Sequence, residues 1–447
     1  MRVDRNFKAA ARWLTVCVFT CAFVLLVSLR PEFATAKDKG LNVGQRDAAE
    51  DCIRYVTQAI QDNYYDPELH GVDLKARKKA ALDRLDSAHS LSDVYGIVAW
   101  MLEPLNDSHT FFIPPLRPYA VENGWRFGFV GDKPYITAVK PDSDAFAQGI
   151  RPGDELLSLE GYSVTHENSW KLQYAFDVLA PRSATHLVVR NPDGNMREVL
   201  ANAHVRKLSK MAFALDFGPF YQTEGDSRLL ESRVIELGDD LMIWKLPTFE
   251  NDETDKYIRM AQKHKALILD LRGNPGGIES VLSEMIERLF DREVVVGDRL
   301  ERKHTSTWKV ESKHADKAFT GKLVVLTDSE TASAAEVLAR VVQIEGRGRV
   351  IGDRSSGMVM RAEISFFSAG KFDPVPLGVA FAVADLRMRD GKSLESVGVV
   401  PDRTVFPSPQ DLAAGRDPVL AAAATELGHQ LTAEEAGKLF PVVWREF

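Results

Sequence analysis

Residues 331–336 of the chain, Thr-Ala-Ser-Ala-Ala-Glu, join an apolar run to an apolar-periodic segment. The run at 323–326 predicts a buried strand, and the segment at 336–342 predicts a helix. A serine between small residues at a strand-to-helix turn can be presented as a nucleophile, because the first backbone N–H groups of the helix can face an oxyanion. That serine is Ser333.

A second predicted strand, which ends in a glycine-rich turn, lies upstream. Residues 266–277 read Ala-Leu-Ile-Leu-Asp-Leu-Arg-Gly-Asn-Pro-Gly-Gly, an apolar run followed by turn-forming residues. From about residue 231 predicted strands and helices alternate, which is typical of an α/β fold. The two stretches together indicate a serine hydrolase site, and they leave open which base takes the serine proton.

The composition is that of an ordinary globular protein. The chain has 447 residues, of which 45% are apolar and 27% charged, so it is long enough for several domains with real cores. Its net charge is −8 and it contains no block of basic residues, so we expect no nucleic-acid partner.

The N-terminus has the three parts of a secretory signal peptide. Basic residues precede an uncharged apolar stretch at 13–29, and Ala34, Thr35 and Ala36 form a small-residue cleavage site. We expect residues 1–36 to be removed after Ala36 and the protein to be exported, either to the periplasm or out of the cell. The alternative is a retained anchor, in which case the protein would be associated with a membrane.

Changes in residue pattern divide the rest of the chain. Apolar residues at three- and four-residue steps near Cys52 and Val56 predict helices, whereas short strands around the Gly131-Asp132 turn predict a β-rich unit. The predicted segments are a helical domain at 37–115, a β-rich domain at 116–206, a connector at 207–230, an α/β core at 231–407 and a helical end at 408–447.

Four motifs resemble known families. Gly128-Phe129 with Ala-Phe-Ala-Gln-Gly-Ile-Arg-Pro-Gly-Asp-Glu-Leu-Leu-Ser-Leu-Glu-Gly at 145–161 resembles a PDZ domain. Residues 266–277 and 331–336, with Leu-Glu-Ser-Val-Gly-Val-Val-Pro-Asp at 394–402, resemble the S41 peptidases, the family of C-terminal processing peptidases and tricorn-type proteases. The resemblance implies a chain of the α/β class, organised as a multidomain α+β protein. Its core would be like that of the crotonase and Clp protease superfamily, and it would carry an inserted PDZ domain.

The resemblance also implies roles for the residues around the nucleophile. Ser333 would attack the substrate, and the Ala334 amide with a glycine amide, from Gly276 or else Gly277, would form the oxyanion hole. Alternatively, glycine is present at these positions because a tight turn there needs positive φ. This explanation is compatible with a role in the oxyanion hole.

This chain differs from the processing peptidases in the residue at the position of the catalytic base. Those enzymes use a lysine that follows a glycine. Here Gly357 is followed by Met358, and a thioether cannot take a proton. Arg354 and Arg361 cannot replace the lysine, because a guanidinium stays protonated.

The tricorn-type branch offers a different base, and the matching positions here are Ser108, His109, Ser333 and Glu395. Neutral imidazole suits proton abstraction near pH 7, and a polar or carboxylate partner fixes its tautomer. We therefore expect His109 as the base, with Ser108 and Glu395 as orienting partners. The alternatives are a structural loop histidine, a loop-capping serine and a surface glutamate.

These observations predict an exported serine endopeptidase that cleaves unfolded or C-terminal segments of polypeptides through an acyl-enzyme, without metal or other cofactor. The PDZ-like strand would bind peptide through Arg126, Phe127, Gly128 and Phe129, or would instead pack on the core and gate the site. The competing functions are a catalytically inactive peptide-binding scaffold and a hydrolase of non-peptide esters or amides. Assembly into a homo-oligomer stays open.

Overall fold

The computed structural model describes residues 40–207, 231–250, 253–370 and 375–444. The expected signal peptide at 1–36, and nearly all of the expected connector at 207–230, lie outside the described residues.

Helices and strands alternate as follows in the described residues. The helices are α1 Val43–Asn63, α2 Leu74–Arg84, α3 Leu91–Leu102, α4 Asp144–Ala147, α5 Ser169–Gln173, α6 Thr254–Ala261, α7 Glu279–Leu289, α8 Ala334–Ile344, α9 Pro409–Ala414, α10 Pro418–Glu426 and α11 Ala433–Gly437. Short 3-10 turns lie at Leu69–Gly71, Leu85–Ser87, Glu103–Leu105 and Ala315–Lys317, and a π-helical turn lies at Tyr174–Leu179.

The strands are β1 Phe111–Ile113, β2 Tyr119–Glu122, β3 Trp125–Val130, β4 Lys133–Val139, β5 Glu155–Leu159, β6 Tyr162–Ser163, β7 Ala184–Arg190, β8 Met196–Asn202, β9 His204–Lys207, β10 Arg233–Leu237, β11 Leu241–Lys245, β12 Ala266–Asp270, β13 Val294–Glu301, β14 Thr305–Val310, β15 Lys322–Thr327, β16 Arg349–Gly352, β17 Arg361–Ala369, β18 Val375–Met388 and β19 Arg403–Thr404.

A six-stranded sheet forms the centre of the α/β core. Its order is β10-β11-β12-β15-β16-β19, with β10 antiparallel to β11 and the other neighbours parallel. Successive residues of β12 face opposite layers: Leu267 and Leu269 pack with α6, α7 and α8, whereas Ala266 and Ile268 pack with α10 and α11. Burial on both faces explains why these strands are continuous apolar runs, and it agrees with the expected α/β pattern.

A second sheet carries the N-terminal helices. It has the order β1-β18-β13-β14, with β17 also paired to β18. Helices α1 to α3 share one buried cluster with β17 and β18, through residues such as Ile53, Val98 and Val379. Because β1 pairs antiparallel with β18, the loop just before β1 is brought to the segment that follows β18.

Residues 119–207 form a separate unit, which we call the β3 domain. Its sheet has the order β3-β4-β5-β7-β8, so β3 is an edge strand, and it has its own buried cluster around Ile136 and Leu187. Strands β2 and β9, which pair antiparallel, carry the chain into and out of this unit. Within residues 40–207, 231–250, 253–370 and 375–444, no helix is both long and apolar enough to span a bilayer.

Candidate active site

Ser333 occupies the N-cap of α8, after the turn that follows β15. Its backbone has φ +54° and ψ −121°, a conformation that costs energy for a residue with a side chain. The surroundings impose it: the Ser333 amide donates to the Met358 carbonyl at 2.8 Å and to Glu336 Oε2 at 3.1 Å. The neighbouring Ala332 amide donates to the Asn274 carbonyl at 2.9 Å, which ties this turn to the glycine-rich turn.

The glycine-rich turn lies directly against Ser333. A Cβ added to Gly276 would come within 2.6 Å of Ser333 Cβ and 2.9 Å of the Ala334 nitrogen, and φ at Gly276 is +100°. Only glycine fits this position, since a side chain would meet both forbidden backbone geometry and the nucleophile.

The amides near the nucleophile differ in availability. The Gly276 N–H donates to Asn274 Oδ1 at 2.8 Å. The N–H groups of Gly277 and Ala334 have no hydrogen-bond partner within the described part of the chain. The first choice made from sequence, Gly276, is thus the glycine whose amide is already engaged.

Glu336 is a site residue that sequence reasoning missed. Its side chain is fully buried and accepts four hydrogen bonds, from Ser355 Oγ at 2.5 Å, the Gly357 amide at 2.7 Å, the Met358 amide at 2.9 Å and the Ser333 amide at 3.1 Å. Burial raises the pKa of Glu336 to about 7, and these hydrogen bonds oppose the rise. The Ser-x-x-Glu spacing of a capping box was the available signal.

Replacing Glu336 by alanine should lower the free energy of unfolding by at least about 3 kcal/mol, because three backbone N–H groups and the Ser355 hydroxyl lose their acceptor. Urea denaturation followed by circular dichroism measures this. Glu434→Ala is the control: Glu434 is exposed on α11 and pairs with the exposed Lys438, so its replacement should change stability by less than about 0.5 kcal/mol. Equal stability of the two variants would contradict the role given to Glu336.

Met358 does lie beside the nucleophile, through the backbone bond of its carbonyl to the Ser333 amide. No lysine in the described residues hydrogen-bonds to Ser333. Lys245 is engaged elsewhere, with its Nζ 3.4 Å from Asp270 Oδ2 and 3.1 Å from the Arg272 carbonyl, and Lys392 is exposed. Among the residues that the structure describes, Ser333 therefore forms no pair with a lysine.

Ser108, His109 and Glu395 converge in one network. Ser108 Oγ lies 2.6 Å from His109 Nδ1 and donates to Glu395 Oε2 at 3.0 Å, while the Ser108 amide donates to Glu395 Oε1 at 2.8 Å. The Val359 amide donates to Glu395 Oε2 at 2.9 Å. Because Val359 follows Met358, this network borders the segment that holds Ser333. No direct hydrogen bond joins His109 to Ser333 among the described residues.

Burial sets the ionisation of this network. It lowers the pKa of His109 to about 4, against the opposing field of the Asp107 carboxylate. It raises the pKa of Glu395, against the hydrogen bonds from Val359 and Ser108. His109 is thus a neutral imidazole at pH 7. Asp107 is itself fixed, since it accepts from the Tyr64 hydroxyl at 2.7 Å and from the His109 amide at 2.9 Å.

The strand expected to bind peptide is covered in this structure. Phe127, Gly128 and Phe129 are buried, and the Phe129 carbonyl accepts from Ser329 Oγ at 2.7 Å. The Gly131 amide donates to Asp353 Oδ2 at 2.6 Å. Strand β3 therefore packs on the core loop that leads to Ser333, as the alternative interpretation of a docking module expects.

Comparison with known proteins finds similarity to one family of peptidases. Residues 241–405 match the sequence model of peptidase family S41. The chain is 23% identical to the chloroplastic carboxyl-terminal-processing peptidase 3 of Arabidopsis thaliana, over 87% of this chain and 74% of that protein. It is 24% identical to the carboxyl-terminal-processing protease of a Picosynechococcus strain, over 82% of this chain and 84% of that protein.

The fold is also shared with a solved structure. The crystal structure of mature CPAF superposes with a TM-score of 0.59 and 16% identity, over 82% of this chain and 94% of that chain. The segment matched to the family contains Ser333, Met358 and Glu395, and no group of three or more His, Cys, Asp or Glu side chains suited to a metal occurs in the described residues. The protein is a serine peptidase, and its residues 241–405 match the model of peptidase family S41.

Proposed function

We propose that this peptidase is an exported endopeptidase, which cleaves unfolded or C-terminal segments of polypeptides through an acyl-enzyme on Ser333. The observation that carries the proposal is the Ser108–His109–Glu395 network, hydrogen-bonded to the segment that holds the Ser333 amide. A serine needs a base within reach, and the neutral imidazole of His109 belongs to the network that borders this segment.

The hydrogen bonds of Ser108 set the tautomer of His109. A hydroxyl has one proton, and Glu395 as a carboxylate can only accept, so the Ser108 proton lies toward Glu395. Ser108 Oγ must then accept from Nδ1–H of His109 at 2.6 Å. The lone pair is left on Nε2, where it can take the Ser333 proton. Glu395 acts through Ser108 to orient the ring.

Catalysis then follows the usual course of serine peptidases. Ser333 Oγ attacks the peptide carbonyl as its proton moves to His109 Nε2, and His109 returns the proton to the leaving amine. Water, activated by the same imidazole, hydrolyses the acyl-enzyme. The Ala334 amide and an amide of the Gly276–Gly277 pair would stabilise the oxyanion; Gly277 could do so at once, whereas Gly276 would have to release Asn274 Oδ1. Substrate binding would bring His109 and Ser333 into hydrogen-bonding distance, as is common in such sites.

The substrate class rests on two supports. The relatives named above are carboxyl-terminal-processing enzymes, and the PDZ-like motif Gly128-Phe129 lies on the edge strand β3, which would have to be uncovered before it could pair with an extended peptide. Export rests on the signal-peptide pattern of residues 1–36.

Labelling with a fluorophosphonate tests the nucleophile. We expect one adduct by intact mass, mapped to Ser333, because only an activated serine reacts at neutral pH. The Ser333→Ala variant should take up no label, although its circular dichroism spectrum should match that of the wild type. A folded wild type without adduct would overturn the enzyme mechanism and favour the inactive peptide-binding scaffold.

A further inference from the structure

A helical segment of the β3 domain lies against residues 103–117, which we call the base-bearing stretch because they include His109. The segment, which we call the linking helix, consists of α5 Ser169–Gln173 and the π-helical turn Tyr174–Leu179 that continues it. Some of its side chains pack in the buried cluster of the β3 domain, whereas Leu179 is buried in the cluster that α1 to α3 share with β17 and β18. One helix therefore takes part in the packing of two domains.

The linking helix is bonded to the base-bearing stretch on both sides of His109. Before His109 in the sequence, Glu103 Oε1 lies 2.8 Å from Lys171 Nζ, and both side chains of this ion pair are partly buried. After His109, the Phe112 carbonyl accepts a hydrogen bond from the Tyr174 hydroxyl at 2.5 Å. The loop that carries the expected base is thus held from the β3 domain at both of its ends.

The contact with Phe112 supplies a donor where the sheet has none. Strand β1 lies at the edge of its sheet, so some of its carbonyls face away from the neighbouring strand. Beyond β1, Arg117 donates to the carbonyls of Val178 and Leu179 at 2.7 and 2.5 Å. These carbonyls lie at the C-terminal end of the linking helix, where intrahelical donors run out. Three separate contacts therefore tie the base-bearing stretch to one helix.

The same domain also contacts the segments that hold the nucleophile. Ser329 Oγ donates to the Phe129 carbonyl of β3 at 2.7 Å, in the turn that leads to Ser333. The Gly131 amide donates to Asp353 Oδ2 at 2.6 Å, at the start of the segment whose later part holds the Ser333 amide. The β3 domain is thus in contact with both halves of the expected catalytic pair, which share no direct hydrogen bond within the described residues.

We propose that Lys171 and Tyr174 are positioning residues, through which the β3 domain sets the place of His109 relative to Ser333. The proposal rests on the proposed function in one respect, namely that His109 is the base. A general base must come within about 3 Å of the group whose proton it takes, and a displacement of about 1 Å can cost about 10²-fold in rate. A base on a loop beside an edge strand depends on the contacts that hold that loop, and the linking helix provides them.

Removal of the Tyr174 hydroxyl tests the proposal. Tyr174→Phe keeps the ring, and we expect kcat on a denatured model protein to fall about 10- to 100-fold while KM stays within about 2-fold, because the hydroxyl holds the base and not the substrate. Tyr162→Phe is the matched control: Tyr162 lies on β6 of the same domain, its hydroxyl has no hydrogen-bond partner among the described residues, and the variant should keep the wild-type rate. An unchanged or higher kcat for Tyr174→Phe would overturn the proposal.

Combination with His109→Ala separates positioning of the base from a general effect on the structure. The readout is the rate at which a fluorophosphonate labels Ser333, followed by intact mass for long enough to measure the residual rate. Tyr174→Phe should lower this rate about 10-fold when His109 is present and less than about 2-fold in the His109→Ala background, because residues that act as a unit are not additive. Equal losses in the two backgrounds would overturn the proposal, since the hydroxyl would then act on Ser333 or on the fold.

The same measurement distinguishes a failure of the proposed function. If His109→Ala labels at the wild-type rate, His109 is not the base, and both the proposed function and this inference are wrong. If His109→Ala loses labelling and Tyr174→Phe does not, only this inference is wrong.

Charge exchange between Lys171 and Glu103 gives a second test, which does not depend on the folding of Tyr174→Phe. Lys171→Glu and Glu103→Lys each place like charges together, and each should lower kcat about 10-fold, whereas the double variant should recover to within about 3-fold of the wild type. Lys133→Glu is the control, because Lys133 pairs with Glu155 within the β3 domain and should leave kcat unchanged. A double variant no faster than the single ones would overturn the role of Lys171.

Discussion

Replacing His109 by alanine is expected to lower kcat for an unfolded polypeptide substrate by about 10⁴-fold or more. Without the imidazole, Ser333 loses the base assigned to it: Met358 cannot take a proton, and Lys245 is held by Asp270. The residual rate would come from substrate binding and the oxyanion donors. Steady-state kinetics on a denatured model protein measures the effect.

His89→Ala is the matched control, since His89 is exposed and the wild-type rate should be retained. Ser108→Ala should give an intermediate loss, because the ring keeps its base but loses the contact that fixes its tautomer. If kcat of the His109→Ala variant lay within about 10-fold of the wild-type kcat, His109 could not be the general base.

The pH dependence gives the same mechanism a second readout. Imidazole must be unprotonated to act, and burial lowers the pKa of His109 to about 4 from its usual value near 6.5. Activity as kcat/KM should therefore persist as the pH falls from 7 to 5, and should be lost near pH 4. An acid limb centred at 6.5 or above would show that the active base is not His109 in this environment.

Replacing Gly276 by alanine is expected to lower kcat/KM by at least about 10³-fold. The added Cβ would lie 2.6 Å from Ser333 Cβ and 2.9 Å from the Ala334 nitrogen, so the nucleophile and its adjacent amide must move. Catalytic geometry tolerates little displacement, and a shift of about 1 Å can cost about 10²-fold.

Gly273→Ala separates this clash from backbone strain. Gly273 lies in the same turn with φ +73°, but a Cβ added there would lie 4.0 Å from Glu330 Oε2, an ordinary van der Waals contact. Both variants should lose about 1–2 kcal/mol of stability from positive φ, measured by urea denaturation, and only Gly276→Ala should lose activity. Equal activity of the two variants would show that the turn does not constrain Ser333.

Much of the fold could be predicted because buried segments have recognisable patterns of apolar residues in the local sequence. Strands such as β12 and β15, which are covered on both faces, are unbroken apolar runs, and the small residues before α8 mark the turn that carries Ser333. The family match to residues 241–405 confirms the peptidase class that the motifs indicated. The roles given to Ser108, His109 and Glu395 stay predictions, which the kinetics above would test.

The sequence by itself determined the α/β core, the position of Ser333 before a helix and the loss of a lysine base at Met358, because periodicity, small residues and side-chain chemistry are local properties. Only the tertiary structure decided which distant groups meet. Ser108 and Glu395 are 287 positions apart, and they are joined because β1 pairs with β18. The bonds that Glu336 accepts from Ser355, Gly357 and Met358 likewise depend on packing between separate segments of the chain.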